Sequence, residues 1–140
     1  MSKHQIGIIG FGAPDSEVPK GKVNYEVYDL AYELGSEIGK LDWIVVTGGG
    51  SGVMEAANRG CQEAGGISVG VTPENKRRSK GNQHLCVEVV SGMNMIGEST
   101  LIVTMCDALI LLGGGSGSLQ EVAIAYRQKK PIYSIEGLVG

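Results

Sequence analysis

Short apolar runs alternate with longer amphipathic segments along the whole chain, the pattern of a parallel sheet covered by helices. Residues 6–9 (IGII) are the first predicted buried strand. Segment 11–23 contains Pro14, Pro19 and Gly21 and reads as a long loop. A helix is predicted over residues 24–40, because Val27, Leu30, Ala31, Leu34, Ile38 and Leu41 recur every three or four positions. Further strands are predicted at 43–46, 67–71, 86–90, 108–112 and 131–135, the last opening on Pro131, where proline is tolerated. Helices are predicted over 53–64, stopped by Gly65 and Gly66, from Glu98 within 93–105, and over 119–129. Segment 72–84 is polar, carries Lys76, Arg77, Arg78 and Lys80, and reads as a mobile loop. The expected fold class is α/β: a Rossmann-like, three-layer, doubly wound parallel sheet with helices on both faces, in one domain over residues 1–140.

Glycine is the compositional outlier, 23 of 140 residues, more than twice the usual share of about 7%. Two clusters follow a common pattern: Asp42, five residues, then GGGSG to Gly52, and Asp107, five residues, then GGGSG to Gly117. A glycine turn between a parallel strand and a helix lets a ligand approach backbone N–H groups without side-chain obstruction. The helix start behind it adds unpaired donors and partial positive charge, which suit a phosphate. In open α/β sheets such loops lie at the carboxyl ends of the strands, near the point where strand order reverses. With an order of 3-2-1-4-5-6, the loops after the second and fifth strands would face one crevice. The candidate ligand-binding residues are Gly10 and Gly12; Thr47, Gly48, Gly49, Gly50, Ser51 and Gly52; and Gly113, Gly114, Gly115, Ser116, Gly117 and Ser118. The competing reading is tight packing of strand on helix. A nucleoside triphosphate loop is excluded, because no glycine-lysine pair is followed by Ser or Thr. A dinucleotide fingerprint fails as well: the first turn lacks its third glycine, and the second strand ends in Thr47 rather than an acid.

The segments TGGGSGVMEAANRG (47–60), AGG (64–66), VGVTPE (69–74) and DALILLGGGSGSLQE (107–121) resemble the Rossmann-like superfamily of the Lonely Guy proteins, also called SLOG. That superfamily holds cytokinin-activating phosphoribohydrolases, relatives carrying a lysine decarboxylase label, and molybdenum cofactor carrier proteins. The resemblance covers nearly the whole chain, and GVMEAANRG with the second loop resembles the carrier branch more than the hydrolases. It implies a binding protein for a phosphorylated, nucleotide-like or pterin-type small molecule, with the molybdenum cofactor (molybdopterin) or a nucleoside monophosphate as ligand. The alternative it implies is a nucleoside 5'-monophosphate phosphoribohydrolase with Glu121 as the catalytic acid. The hydrolases carry PGGxGTxxE. Here Ser118 keeps a hydroxyl at the threonine position and Glu121 keeps the acid, but the catalytic arginine falls on Glu98. That reverses a charge where a phosphoribosyl group would be held and weighs against hydrolysis. A decarboxylase would need a lysine bound to pyridoxal phosphate, and no lysine stands in such a setting.

Individual residues carry second readings. Ser118 to Glu121 matches a helix capping box, so Glu121 could satisfy the cap rather than a sugar cation. Glu98 could pair with Glu121 as an acid, or be an exposed acid at a helix start. The basic residues 76–80 lack interleaved aromatics for base stacking, and the net charge of −3 argues against nucleic acid as partner. His4 and His84 lack neighbouring ligand types, so no metal site is expected. Cys61, Cys86 and Cys106, odd in number and set among apolar residues, are expected as buried free thiols of a cytoplasmic protein. No signal peptide or membrane span is visible. The chain ends five residues after the last predicted strand, so a covering element from a partner, in a homo-dimer or tetramer, is expected.

Overall fold

The computed structural model describes residues 2–12, 25–73, 81–114 and 116–135. They form six strands and four helices: β1 (Gln5–Gly10), α1 (Tyr25–Lys40), β2 (Ile44–Thr47), α2 (Val53–Glu63), β3 (Ile67–Thr72), β4 (Val87–Val90), α3 (Met95–Met105), β5 (Ala108–Leu112), α4 (Ser116–Gln128) and β6 (Ile132–Ser134). All strand pairings are parallel, and the order is β4-β3-β2-β1-β5-β6.

Successive side chains of a strand point to opposite faces, so each apolar run feeds two cores, as an all-parallel sheet requires. Ile8, Val45 and Leu112 pack with Ala31, Ile38, Ala57 and Cys61 of α1 and α2. Their neighbours Ile9, Val46 and Leu109 pack with Ile102 and Val103 of α3 and Ala125 of α4. This is the expected three-layer α/β sandwich. Helices α1 and α2 cross closely because a Cβ at Gly35 would collide with the Ala57 carbonyl, and one at Gly60 with the Tyr32 carbonyl.

The strand order differs from the 3-2-1-4-5-6 assumed from sequence. The fourth strand pairs with β3, through Val69↔Val87 and Val71↔Val89, and β1 pairs directly with β5 through Ile6↔Ala108 to Gly10↔Leu112. The reason is burial. A strand covered on both faces reads as a continuous apolar run, as β5 does, whereas β4 carries Glu88 and exposes Val87, the profile of an edge. The order therefore reverses between β1 and β5.

Smaller corrections concern helix ends. Helix α3 starts at Met95, three residues before Glu98, because Asn94 caps it by accepting from the Gly97 N–H at 2.9 Å. Helix α4 starts at Ser116, not Leu119. Leu41 lies just past α1 and is exposed. Cys61 and Cys106 are buried, but Cys86 is exposed at the entry to the edge strand. The long loop over 13–24, the basic residues 76–80 and Gly115 lie outside the described residues. No described helix is long and apolar enough to cross a membrane.

Candidate functional site

The carboxyl ends of β1, β2 and β5 lie side by side, as befits three adjacent parallel strands. Gly10 ends β1 between two neighbours: a Cβ there would lie 2.6 Å from Val53 Cγ1 at the start of α2 and 3.0 Å from the Leu112 carbonyl at the end of β5. The Val53 N–H donates to the Phe11 carbonyl at 2.9 Å. Gly12 faces Ser51 Oγ and Met54 Cε, each within 4 Å of where its Cβ would be. The first turn and the loop Gly48–Gly52 thus lie side by side.

A buried polar network sets the shape of that second loop. Thr47 accepts from the Gly49 N–H at 2.9 Å and donates to Asn58 Oδ1 at 2.7 Å. Asn58 Nδ2 donates to Ser68 Oγ at 2.7 Å. Asn82 closes the network: its backbone N–H donates to the Gly49 carbonyl at 2.8 Å, and its Nδ2 to the Gly50 carbonyl at 2.8 Å. Asn82 Nδ2 also lies 3.1 Å from Asn58 Oδ1. Thr47, Asn58 and Ser68 are fully buried, so their polar groups had to be paired internally. The loop carbonyls are tied back toward the protein, and Gly49 adopts φ +75°, which glycine accepts without strain. Helix α2 behind the loop starts at Val53, and Gly52 at its N-cap supplies no side-chain cap. A helix start of this kind attracts an anion; α3, capped by Asn94, does not offer one.

The third loop is built differently. A Cβ on Gly114 would collide with Ser118 Oγ, so the buried Ser118 hydroxyl sits directly beneath that glycine. Because α4 starts at Ser116, Ser118 lies inside the helix and cannot be its N-cap, so the capping box with Glu121 does not form.

Two acids complete the site. Glu98 is not an exposed helix-start acid: it is 7% exposed, and its Oε1 lies 3.2 Å from where a Cβ on Gly48 would stand. Burial pushes its carboxyl up to about 7. Glu121, half-buried on α4, is pushed up to about 8, first by burial and then by the charge of Glu98. No hydrogen bond or ion pair to either carboxyl occurs among the described residues. Thr72, at the end of β3, is 1% exposed; its Oγ1 has no partner among the described residues, and its Cγ2 lies 3.0 Å from the Cβ position of Gly49.

Of the sequence candidates, then, Gly10, Gly12 and the 47–52 loop come together, Gly113, Gly114 and Ser118 lie at the end of the neighbouring strand, and Glu98 stands against Gly48 while electrostatically coupled to Glu121 on α4. Sequence reasoning missed Asn58, Ser68, Thr72 and Asn82. Asn58 had a signal, a polar residue amid the buried Ala56, Ala57, Gly60 and Cys61 of one helix. Asn82 had none, since it reaches the loop from beyond β3. His4 stacks edge-on against Trp43 instead of joining the site. No group of three or more His, Cys, Asp or Glu converges among the described residues.

Comparison with known proteins agrees with this architecture. The molybdenum cofactor binding protein of Rippkaea orientalis superposes with a TM-score of 0.83 at 30% identity, over 96% of this chain and 77% of that one. The molybdenum cofactor carrier protein of Chlamydomonas reinhardtii gives 0.79 at 30% identity, over 99% and 88%. A cytokinin riboside 5'-monophosphate phosphoribohydrolase of Mycobacterium tuberculosis is 32% identical over 105 residues, 72% of this chain and 54% of that protein. The model of the SLOG cluster4 family matches residues 3–139. With its parallel sheet, paired glycine loops and near-complete match to that model, the chain belongs to the SLOG cluster4 family.

Proposed function

We propose that the protein binds and carries a phosphorylated pterin-type small molecule, the molybdenum cofactor being the ligand favoured by its relatives. The observation that carries this reading is the likeness, over 96% and 99% of this chain, to two proteins named for that cofactor. The site is chemically suited to such a ligand. The uncapped start of α2, behind a loop whose carbonyls are turned away, would hold the phosphate through backbone N–H groups. Ser118 with Gly113 and Gly114 would close the other side. In this reading the carrier is cytoplasmic and forms a homo-dimer or tetramer, for which the exposed Ile96, Leu119 and Tyr126 supply apolar surface.

The test is retention. Molybdenum cofactor released anaerobically from a molybdoenzyme is mixed with the protein, which is then desalted and assayed for molybdenum and for oxidised pterin. Stoichiometric retention by the wild type, lost when Gly49 or Gly114 is replaced by valine, is the expected result. No retention by the wild type overturns the reading.

Phosphoribohydrolysis is the second reading, favoured by Glu121, a half-buried acid beside the crevice, and by the mycobacterial relative. Against it stands Glu98, whose buried carboxyl would oppose a phosphoribosyl group approaching Gly48.

A further inference from the structure

A carboxyl buried beside a phosphate-suited loop needs a chemical reason. Glu98 is more than nine-tenths buried, lies against Gly48, and meets no cation among the described residues. The charge nearest to it is no counter-ion: Glu121 on α4 is an acid and opposes it. Lys130 is held on the carbonyls of Cys106 at 2.7 Å and Thr104 at 3.2 Å, at the far end of α3. The second unpartnered polar group, the Thr72 hydroxyl, belongs to a side chain that touches the next glycine, Gly49. Glu98 and Thr72 therefore stand against successive glycines of one loop, Glu98 through its Oε1 and Thr72 through its methyl. An ionised carboxylate accepts only, through two oxygens, and is best matched by two parallel N–H donors.

We infer that Glu98 is a specificity-determining residue, accepting hydrogen bonds from the ring N–H and exocyclic amino group of a 2-amino-4-oxopyrimidine edge, the edge that a pterin presents. This deepens the carrier reading and rests on it: the loops take the phosphate end and Glu98 reads the heterocycle. A ring with oxygen in place of the 2-amino group would bring a carbonyl against the carboxylate and be rejected.

The proton balance supplies a readout that packing alone would not move. Hydrogen bonds to the ionised form of Glu98 lower its proton affinity, so binding of a pterin near neutral pH releases a fraction of a proton. An anion bound beside the acids raises their proton affinity and takes protons up.

The experiment uses the full chain and phosphate-free neopterin, compared with the lumazine bearing the same side chain, by calorimetry in buffers of different ionisation enthalpy. The expected result is tighter binding of neopterin by at least about tenfold, with proton release, and a ratio that falls to near unity in Glu98→Gln. Inorganic phosphate, titrated separately, is expected to bind Glu98→Gln no more weakly than the wild type, since a negative charge has gone. Equal affinities for the two heterocycles in the wild type overturn the inference, and that comparison needs no variant. So does the absence of neopterin binding at millimolar concentration, or a ratio untouched by Glu98→Gln. Failure of the carrier reading is seen elsewhere, in the lack of cofactor retention and of phosphate binding.

Discussion

The carboxyl groups of Glu98 on α3 and Glu121 on α4 each resist ionisation, and the charge of Glu98 is part of what restrains Glu121. The packing of α3 beside α4 on one face of the sheet creates this relationship, which the sequence offered as one of two readings of Glu98.

Stability therefore depends on pH with a definite sign. The folded-state values, about 7 and about 8, lie above the ordinary 4.5. The folded protein holds more protons than the unfolded chain within that window, so its stability falls as pH rises from about 4.5 to about 8. Urea midpoints are expected to decline between pH 5.5 and 8.5, and Glu98→Gln to flatten the decline and raise the melting temperature at pH 8 by roughly 5 °C. A midpoint in Glu98→Gln with the wild-type pH slope would contradict this account.

Asn58 anchors the second glycine loop through Thr47, Ser68 and Asn82. Asn58→Ala leaves two buried polar groups, Thr47 and Ser68, without this partner and is expected to cost about 2–4 kcal/mol in urea unfolding. Asn82→Ala removes a half-buried side chain and is expected to cost less, roughly 1 kcal/mol. It frees the Gly50 carbonyl to turn away from the protein while the backbone bond to the Gly49 carbonyl remains, so phosphate titrations should show weakened binding in a variant that remains folded.

Gly49 demands glycine twice. Its φ of +75° disfavours any side chain, and a Cβ would stand 3.0 Å from Thr72 Cγ2 and 3.4 Å from Leu85 Cδ1. Gly49→Ala is expected to lose about 1–2 kcal/mol of stability, measurable by thermal unfolding. Addition of phosphate should raise its melting temperature less than that of the wild type.

For catalysis, the expected outcome with a panel of nucleoside 5'-monophosphates is no release of free base. A chromatographic assay decides it, with Glu121→Ala as control. Release that disappears in Glu121→Ala would make the protein a hydrolase despite Glu98.

Much of the fold was legible because it rests on local signals. Apolar runs and three-four spacings located all six strands and four helices, since burial on two faces of a sheet, or on one stripe of a helix, leaves a periodic trace. Helix starts were less legible, because at α3 the Asn94 cap, not the hydrophobic period, sets the boundary. The glycine loops were legible as loops; their internal bonds were not.

The alternation of elements, the two glycine clusters and the family to which they belong could be read from residue type and short-range spacing alone. It took the folded chain to place β1 beside β5, to bring Asn82 back from beyond β3 to pin Gly49 and Gly50, and to bury Glu98 against Gly48 within the field of Glu121. Those are contacts between residues distant in the chain. Their energies come from desolvation and partner geometry, which exist only once the sheet has assembled.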